Sequence, residues 1–146
     1  MSYKVESSVL IHRPPAEVFA FATDWDKYQL WEAEVLESRQ LSAGPMGVGT
    51  TYRHVARFMG RRLETEGVVT AYEPNQRLCF KVTKSPFPFS ACQTFREEGG
   101  GTRATYTFEA DLGGLFRLFQ PLTMRMSRQQ LDGNYVRLKK VLEAGN

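Results

Sequence analysis

The sequence predicts an α+β fold in which a curved antiparallel sheet of about seven strands holds a long C-terminal helix. Two observations support this. Residues 48–110 read as short alternating strands separated by turns that contain Gly or Pro. A helical apolar pattern then covers residues 113–143, with members at i, i+3 and i+4 spacing that are Leu115, Leu118, Phe119, Leu122 and Met126.

The first part of the chain predicts one strand and two short helices. Residues 3–12 alternate from Val5 to Ile11, as a strand with one buried face does. Pro14 and Pro15 end this strand, because proline cannot donate to a sheet and suits the start of a helix. A short helix follows at 16–22, and Asp24 can cap a further turn that runs to about residue 30.

Six more strands are expected, at 34–42, 50–58, 61–72, 77–83, 90–97 and 102–110. Residues 85–89 are expected to form a stiff loop, since Pro86 and Pro88 restrict it. In the long helix, the apolar stripe changes phase near Met124, just after Pro121, which predicts a kink. The first half would then gate a cavity, and the second half would anchor on the sheet through Leu131, Tyr135, Leu138 and Leu142. A close backbone approach would explain Gly133 in the middle of this helix.

Length and composition indicate one domain, residues 1–146, with 42% hydrophobic residues and no internal repeat or linker. The net charge is +3 and the basic residues are scattered, so we expect no nucleic-acid partner. No segment has the roughly 20 apolar residues needed to span a membrane, and contact with a membrane is expected to be transient at most. The start lacks an apolar signal core, and Cys79 and Cys92 are expected as free thiols, which predicts a cytoplasmic protein.

These landmarks resemble the START-like, or helix-grip, superfamily (SRPBCC), and its polyketide cyclase/dehydrase-like branch in particular. The resemblance covers nearly the whole chain and rests on residues 11–19 (IHRPPAEVF), 24–31 with their two tryptophans, 47–50 (GVGT), 72–74 (YEP), 77–78, 101–103 (GTR) and 138–143. It implies a seven-stranded sheet gripping the C-terminal helix, with an apolar cavity between them. Members include lipid carriers, hormone receptors and aromatase/cyclases, so the resemblance specifies the fold more closely than the function.

Strand pairing predicts which residues face that cavity. A two-residue turn at 59–60 pairs His54 with Thr65 and Tyr52 with Gly67, and paired residues share a face. That face is mostly apolar, whereas the opposite face carries a ladder of charges that includes Glu64 and Glu66. Combining these strands with the helices gives the expected ligand-binding residues, which are Trp31, Tyr52, His54, Phe58, Thr65, Phe80, Gln93, Tyr106, Phe108, Phe119 and Met126.

Catalysis has weak candidates in this set. His54 is the one titratable group expected inside that titrates near neutral pH, and Tyr52 or Tyr106 could assist it in proton transfer. The competing interpretation is a neutral histidine bonded to a neighbouring strand or to water. No metal or cofactor is expected, since His12 and His54 lie on different elements without a carboxylate cluster.

Three functions remain open at this point. The first is binding or transport of a small hydrophobic molecule, such as a lipid, an isoprenoid or a polyketide-like aromatic. The second is a polyketide cyclase or dehydratase that uses His54 and a tyrosine, and the third is a chaperone-cofactor-like interaction module. The sequence leaves both the ligand and the oligomeric state undetermined.

Overall fold

The sheet of this protein is an antiparallel meander from its second to its seventh strand, and its first strand is added at the edge next to the seventh. In the computed structural model, which describes residues 3–58, 60–85, 89–110, 118 and 120–144 (without the side chains of residues 3 and 58), seven strands run in the order β1-β7-β6-β5-β4-β3-β2. Their bounds are Tyr3–Ile11 (β1), Val35–Gln40 (β2), Thr51–Phe58 (β3), Arg61–Glu73 (β4), Arg77–Lys84 (β5), Phe89–Glu98 (β6) and Gly101–Ala110 (β7). This confirms the predicted fold class.

Two short helical segments connect β1 to β2. Helix α1, Pro15–Ala22, begins where the Pro14-Pro15 pair predicts, and a 3-10 turn, Trp25–Lys27, leads into helix α2, Tyr28–Trp31. The side chain of Asp24 accepts a hydrogen bond from the amide of Asp26 at 3.0 Å and so caps the 3-10 turn. These segments cover one end of the concave face of the sheet.

The register of the β3–β4 hairpin agrees with the sequence prediction. Phe58 pairs with Arg61, His54 with Thr65 and Tyr52 with Gly67. On the outer face, Arg53 bonds to Glu64, and Lys84 lies 3.5 Å from Glu66. The two glutamates therefore belong to a surface charge ladder, as the alternation along the two strands predicts.

The C-terminal helix α3, Gln120–Ala144, packs along β1 and α2 with its second half. Its residues Tyr135, Leu138 and Leu142 are buried, as the anchoring half of the pattern predicts. The amide of Ala33 donates to Asn134 Oδ1 at 3.2 Å, and Lys139 Nζ donates to the carbonyl of Leu10 at 2.5 Å. These contacts fix α3 against both layers of the fold. None of the described helices is both long and apolar enough to cross a membrane.

Two expectations for this helix need correction. Within the described helix Gln120–Ala144, Pro121 is the second residue, where its missing N–H costs nothing, so it does not kink the middle of that helix. Among the described residues, no atom beyond the helix's own backbone lies within 4 Å of a Cβ added at Gly133, so this part of the chain makes no close backbone approach there. Part of the predicted helix start, including Leu115 and Phe119, lies outside the described residues.

The cysteines also differ from expectation. Cys79 on β5 and Cys92 on β6 are directly opposite each other and form a disulfide, with their Cα atoms 4.0 Å apart. The expectation of two free thiols is therefore wrong. The pattern of each single strand does not show which residue lies opposite on the next strand, and the pairing of β5 with β6 brings the two cysteine side chains together.

Candidate functional site

A cavity of about 70 Å³ lies between the short helices and the middle of the concave sheet face. It is mostly apolar, with polar groups at one end. Its wall is made by side chains from the 3-10 turn, α2 and five strands, which are Trp25, Tyr28, Glu32, Tyr52, His54, Thr65, Phe80, Val82, Phe89 and Tyr106. The volume is enough for a few water molecules or for one small organic group.

Aromatic rings in mutual contact form most of this wall. Trp25 stacks on Tyr52 with ring centres 5.1 Å apart, and Tyr28 lies 5.7 Å from Trp25. Phe80 meets Tyr52 edge to face at 5.6 Å. The Tyr52 ring can lie against β4 because its partner across the hairpin is Gly67, where a Cβ would lie 2.3 Å from the tyrosine hydroxyl. The rings therefore support one another in fixed positions.

His54 connects the polar end of the cavity to two other side chains. Its Nδ1 lies 2.6 Å from Ser38 Oγ on the neighbouring strand β2, and its Nε2 lies 3.5 Å from Glu32 Oε2. The side chains of His54 and Glu32 are 24% and 14% exposed, so this end of the cavity touches solvent. Glu32 is a single carboxylate beside His54 that the sequence pattern did not indicate, while the hydrogen bond to a side chain of a neighbouring strand is the arrangement of the competing interpretation.

The tyrosines around the cavity are held in their neutral form. Burial is the main cause that raises the pKa of the Tyr28, Tyr52 and Tyr106 hydroxyls, and the negative charge of Glu32 is the second cause. Burial, followed by Tyr28 and Glu32, also raises the pKa of Tyr135, which packs against Tyr106. The Glu32 carboxylate thus contributes to the raised pKa of all four tyrosines.

The structure brings five of the predicted binding residues together at this cavity: Tyr52, His54, Thr65, Phe80 and Tyr106. Trp31 and Gln93 instead lie in the core, at 1% and 0% exposure, and Phe108 packs against Phe89. Met126 is 40% exposed and does not line this cavity. Phe119 and the side chain of Phe58 lie outside the described part of the chain.

Five lining residues were not among the predicted binding residues: Trp25, Tyr28, Glu32, Val82 and Phe89. The alternation of β5 does place Val82 inward, and Tyr28 and Trp25 belong to the aromatic segment before β2. Phe89 was assigned to a loop, but it begins β6. Glu32 had no signal of its own, because its position depends on how the chain leaves α2 and meets β3.

The chemistry available here is proton transfer and polar anchoring inside an aromatic enclosure. Ser38, His54 and Glu32 lie in a line that can hold and move a proton, and Tyr28 Oη lies 3.4 Å from Gln93 Nε2. Among the described residues, no group of three His, Cys, Asp or Glu side chains is placed to hold a metal ion.

The model of the family described as polyketide cyclase / dehydrase and lipid transport matches residues 2–143. No curated protein matches the sequence significantly.

Several solved structures share the fold. TTHA0849 from Thermus thermophilus superposes with a TM-score of 0.84 at 23% identity, over 99% of this chain and 100% of that one. A START superfamily protein from Mycobacterium smegmatis superposes with a TM-score of 0.82 at 13% identity, and the match covers 98% of this chain and 99% of that one. The di-domain ARO/CYC StfQ of the steffimycin biosynthetic pathway gives 0.83 at 13% identity, and the match covers 99% of this chain but 52% of that protein. Because these sequence identities are low, the structural likeness is evidence for the fold alone.

Proposed function

Since the chain belongs to the polyketide cyclase / dehydrase and lipid transport family, we propose that its cavity binds a small hydrophobic ligand. The observation that carries the proposal is the aromatic cavity wall, in which the Tyr52 ring contacts both Trp25 and Phe80. Sites that bind small organic molecules have such walls, with a few polar groups that orient the ligand. Glu32 and His54 supply those groups.

The cavity volume limits what the site accepts. About 70 Å³ suits a single ring or one end of a longer molecule rather than a whole lipid. We therefore favour a compact aromatic ligand, or an isoprenoid or polyketide whose end enters between the short helices and the sheet. His54 and Glu32 at the solvent-touching end would meet the ligand first.

A titration with 2-naphthol, a compact neutral aromatic, tests binding. The key variant is Val82→Phe, because Val82 is 3% exposed and lines the cavity, so the added ring atoms occupy the ligand's space. Val48→Phe is the matched control, since Val48 is 70% exposed. Affinity measured by protein NMR should fall at least about tenfold in the first variant, equal to about 1.4 kcal/mol, and stay unchanged in the control.

The outcome is read only for variants whose melting temperature shows that they are folded. Should folded Val82→Phe bind 2-naphthol as well as the parent protein, the cavity is not the binding site. If neither the parent protein nor the control binds any of 2-naphthol, indole or 1-octanol, the proposed function is wrong.

A second candidate function, acid–base catalysis of the cyclase or dehydratase type, is favoured by the line of Ser38, His54 and Glu32. With Nε2–H directed at Glu32, the acceptor nitrogen of His54 is Nδ1, so a bound ketone would give its proton to Nδ1 in exchange for the Ser38 hydroxyl. Exchange of the acetophenone methyl hydrogens in D₂O would report this step. His54→Ala should abolish protein-dependent exchange while binding of acetophenone survives, and unchanged exchange would exclude His54 as the base.

A further inference from the structure

The cavity combines a carboxylate with a wall of aromatic rings. Glu32 is the acidic residue of the lining, and neither Lys nor Arg belongs to the described lining residues. Six aromatic side chains surround the same space, namely Trp25, Tyr28, Tyr52, Phe80, Phe89 and Tyr106. The interior therefore offers negative charge and ring faces, but no permanent positive charge.

The Glu32 carboxylate is only loosely paired within the protein. Its partner, His54 Nε2, is 3.5 Å away, beyond the 2.7–3.2 Å typical of an N–H···O hydrogen bond. Its side chain is 14% exposed, so most of it has left water. A carboxylate in such a place gains free energy from a cationic partner, because burying a charge costs much less when the charge is paired.

Ring faces add to this preference for positive charge. The faces of Trp and Tyr attract organic cations, and the attraction increases when water is excluded. Trp25 and Tyr52 stack with their ring centres 5.1 Å apart, so each ring keeps one face that the other does not cover. The Tyr52 hydroxyl packs over Gly67, so Tyr52 contributes its ring rather than its hydroxyl to the cavity wall.

The same carboxylate acts on the tyrosine hydroxyls across the cavity. After burial, its charge is the second cause of the raised pKa of Tyr52 and Tyr106. Glu32 therefore acts electrostatically on two of the tyrosines that line the cavity.

We propose that the ligand of this cavity carries a positively charged nitrogen, an alkylammonium or arylalkylammonium group, which lies against Glu32 among the rings of Trp25, Tyr28 and Tyr52. This rests on the proposed function and narrows its ligand class. A neutral ligand that donates a hydroxyl to Glu32 is the competing outcome.

Two probes of the same shape separate charge from size. Choline carries a trimethylammonium group, and 3,3-dimethylbutan-1-ol replaces its nitrogen with carbon and so lacks the charge. Protein NMR titrations at pH 8 should give at least about tenfold tighter binding for choline, with shifts at the Trp25 indole and the His54 ring. Glu32→Gln should remove this difference, whereas Glu37→Gln should keep it, because Glu37 lies on the outside next to Arg39.

Three results would overturn the inference: equal or tighter binding of the alcohol, a choline preference that survives Glu32→Gln, or choline shifts confined to residues outside the cavity. The 2-naphthol titration runs beside these probes. If 2-naphthol binds while choline does not, the cation inference fails and the proposed function stands. When none of the probes binds, both fail.

Discussion

The phenol ring of Tyr52 lies over Gly67 on the adjacent strand, so closely that a Cβ at position 67 would come within 2.3 Å of the hydroxyl oxygen. The same Cβ would lie 2.7 Å from the backbone carbonyl oxygen of Lys81. Glycine therefore allows β4 to accept the ring that forms one wall of the cavity. In strands, glycine often marks such close approaches.

Gly67→Ala should consequently displace Tyr52 and destabilise the protein by about 1–3 kcal/mol, since the backbone contact cannot be relieved by a side-chain movement alone. Denaturant unfolding measures the change in the free energy of unfolding. Gly47→Ala is the control, because nothing lies within 4 Å of its added Cβ. If Gly67→Ala changes the free energy of unfolding no more than Gly47→Ala does, the Tyr52 ring does not lie over position 67.

Gly133→Ala should act in the opposite direction. Position 133 lies inside α3, and no atom lies within 4 Å of the added Cβ. Alanine is favoured over glycine in a helix interior by about 0.5–1 kcal/mol, so the free energy of unfolding should rise by about that amount. A loss of stability in the same unfolding experiment would reveal a contact at Gly133 that the structure does not contain.

The hydrogen-bond pattern predicts the tautomer of neutral His54. Ser38 Oγ can donate to Nδ1, and the carboxylate of Glu32 can only accept, which places the ring proton on Nε2. Long-range ¹H–¹⁵N NMR spectra of ¹⁵N-labelled protein above pH 8 distinguish the two tautomers. We expect the pattern of the Nε2–H tautomer. Ser38→Ala should lower the population of this tautomer, and a pattern of the Nδ1–H tautomer in the parent protein would contradict the geometry.

Alkaline pH should unfold the protein through its buried tyrosines. Burial, assisted by the charge of Glu32, raises the folded-state pKa of Tyr28, Tyr52 and Tyr106 above the ordinary value near 10. Their contribution to stability is present below pH ~10 and falls as pH rises above it, because the unfolded chain then loses protons that the folded chain keeps. Absorbance at 295 nm and circular dichroism should show these tyrosines ionising together with unfolding. Their ionisation in the still-folded protein would contradict the burial.

Local patterns in the sequence were sufficient for most of the fold. The Pro14-Pro15 pair marks the start of α1, and the two-residue turn after Phe58 sets the whole β3–β4 register. With that register, alternation places Tyr52, His54 and Thr65 on the cavity face. These features are local in the sequence, so the residues of one strand or one turn are enough to predict them.

The polar end of the cavity depends on contacts between distant segments. Glu32 reaches His54 across 22 positions because α2 ends next to β3, and Cys79 meets Cys92 only through the β5–β6 pairing. Met126 has the spacing of a core residue, yet the packing of α3 leaves it 40% exposed. Periodicity indicates that a helix has an apolar stripe, but not which part of the stripe the sheet covers.

The most direct test of the central claim is an intermolecular NOE experiment on the protein with bound 2-naphthol. Binding inside the cavity predicts NOEs from the probe to the rings of Trp25, Tyr52 and Tyr106 and to the methyl groups of Val82. NOEs confined to the exposed side chains of Leu122 and Met126 on α3, or the absence of binding, would contradict it.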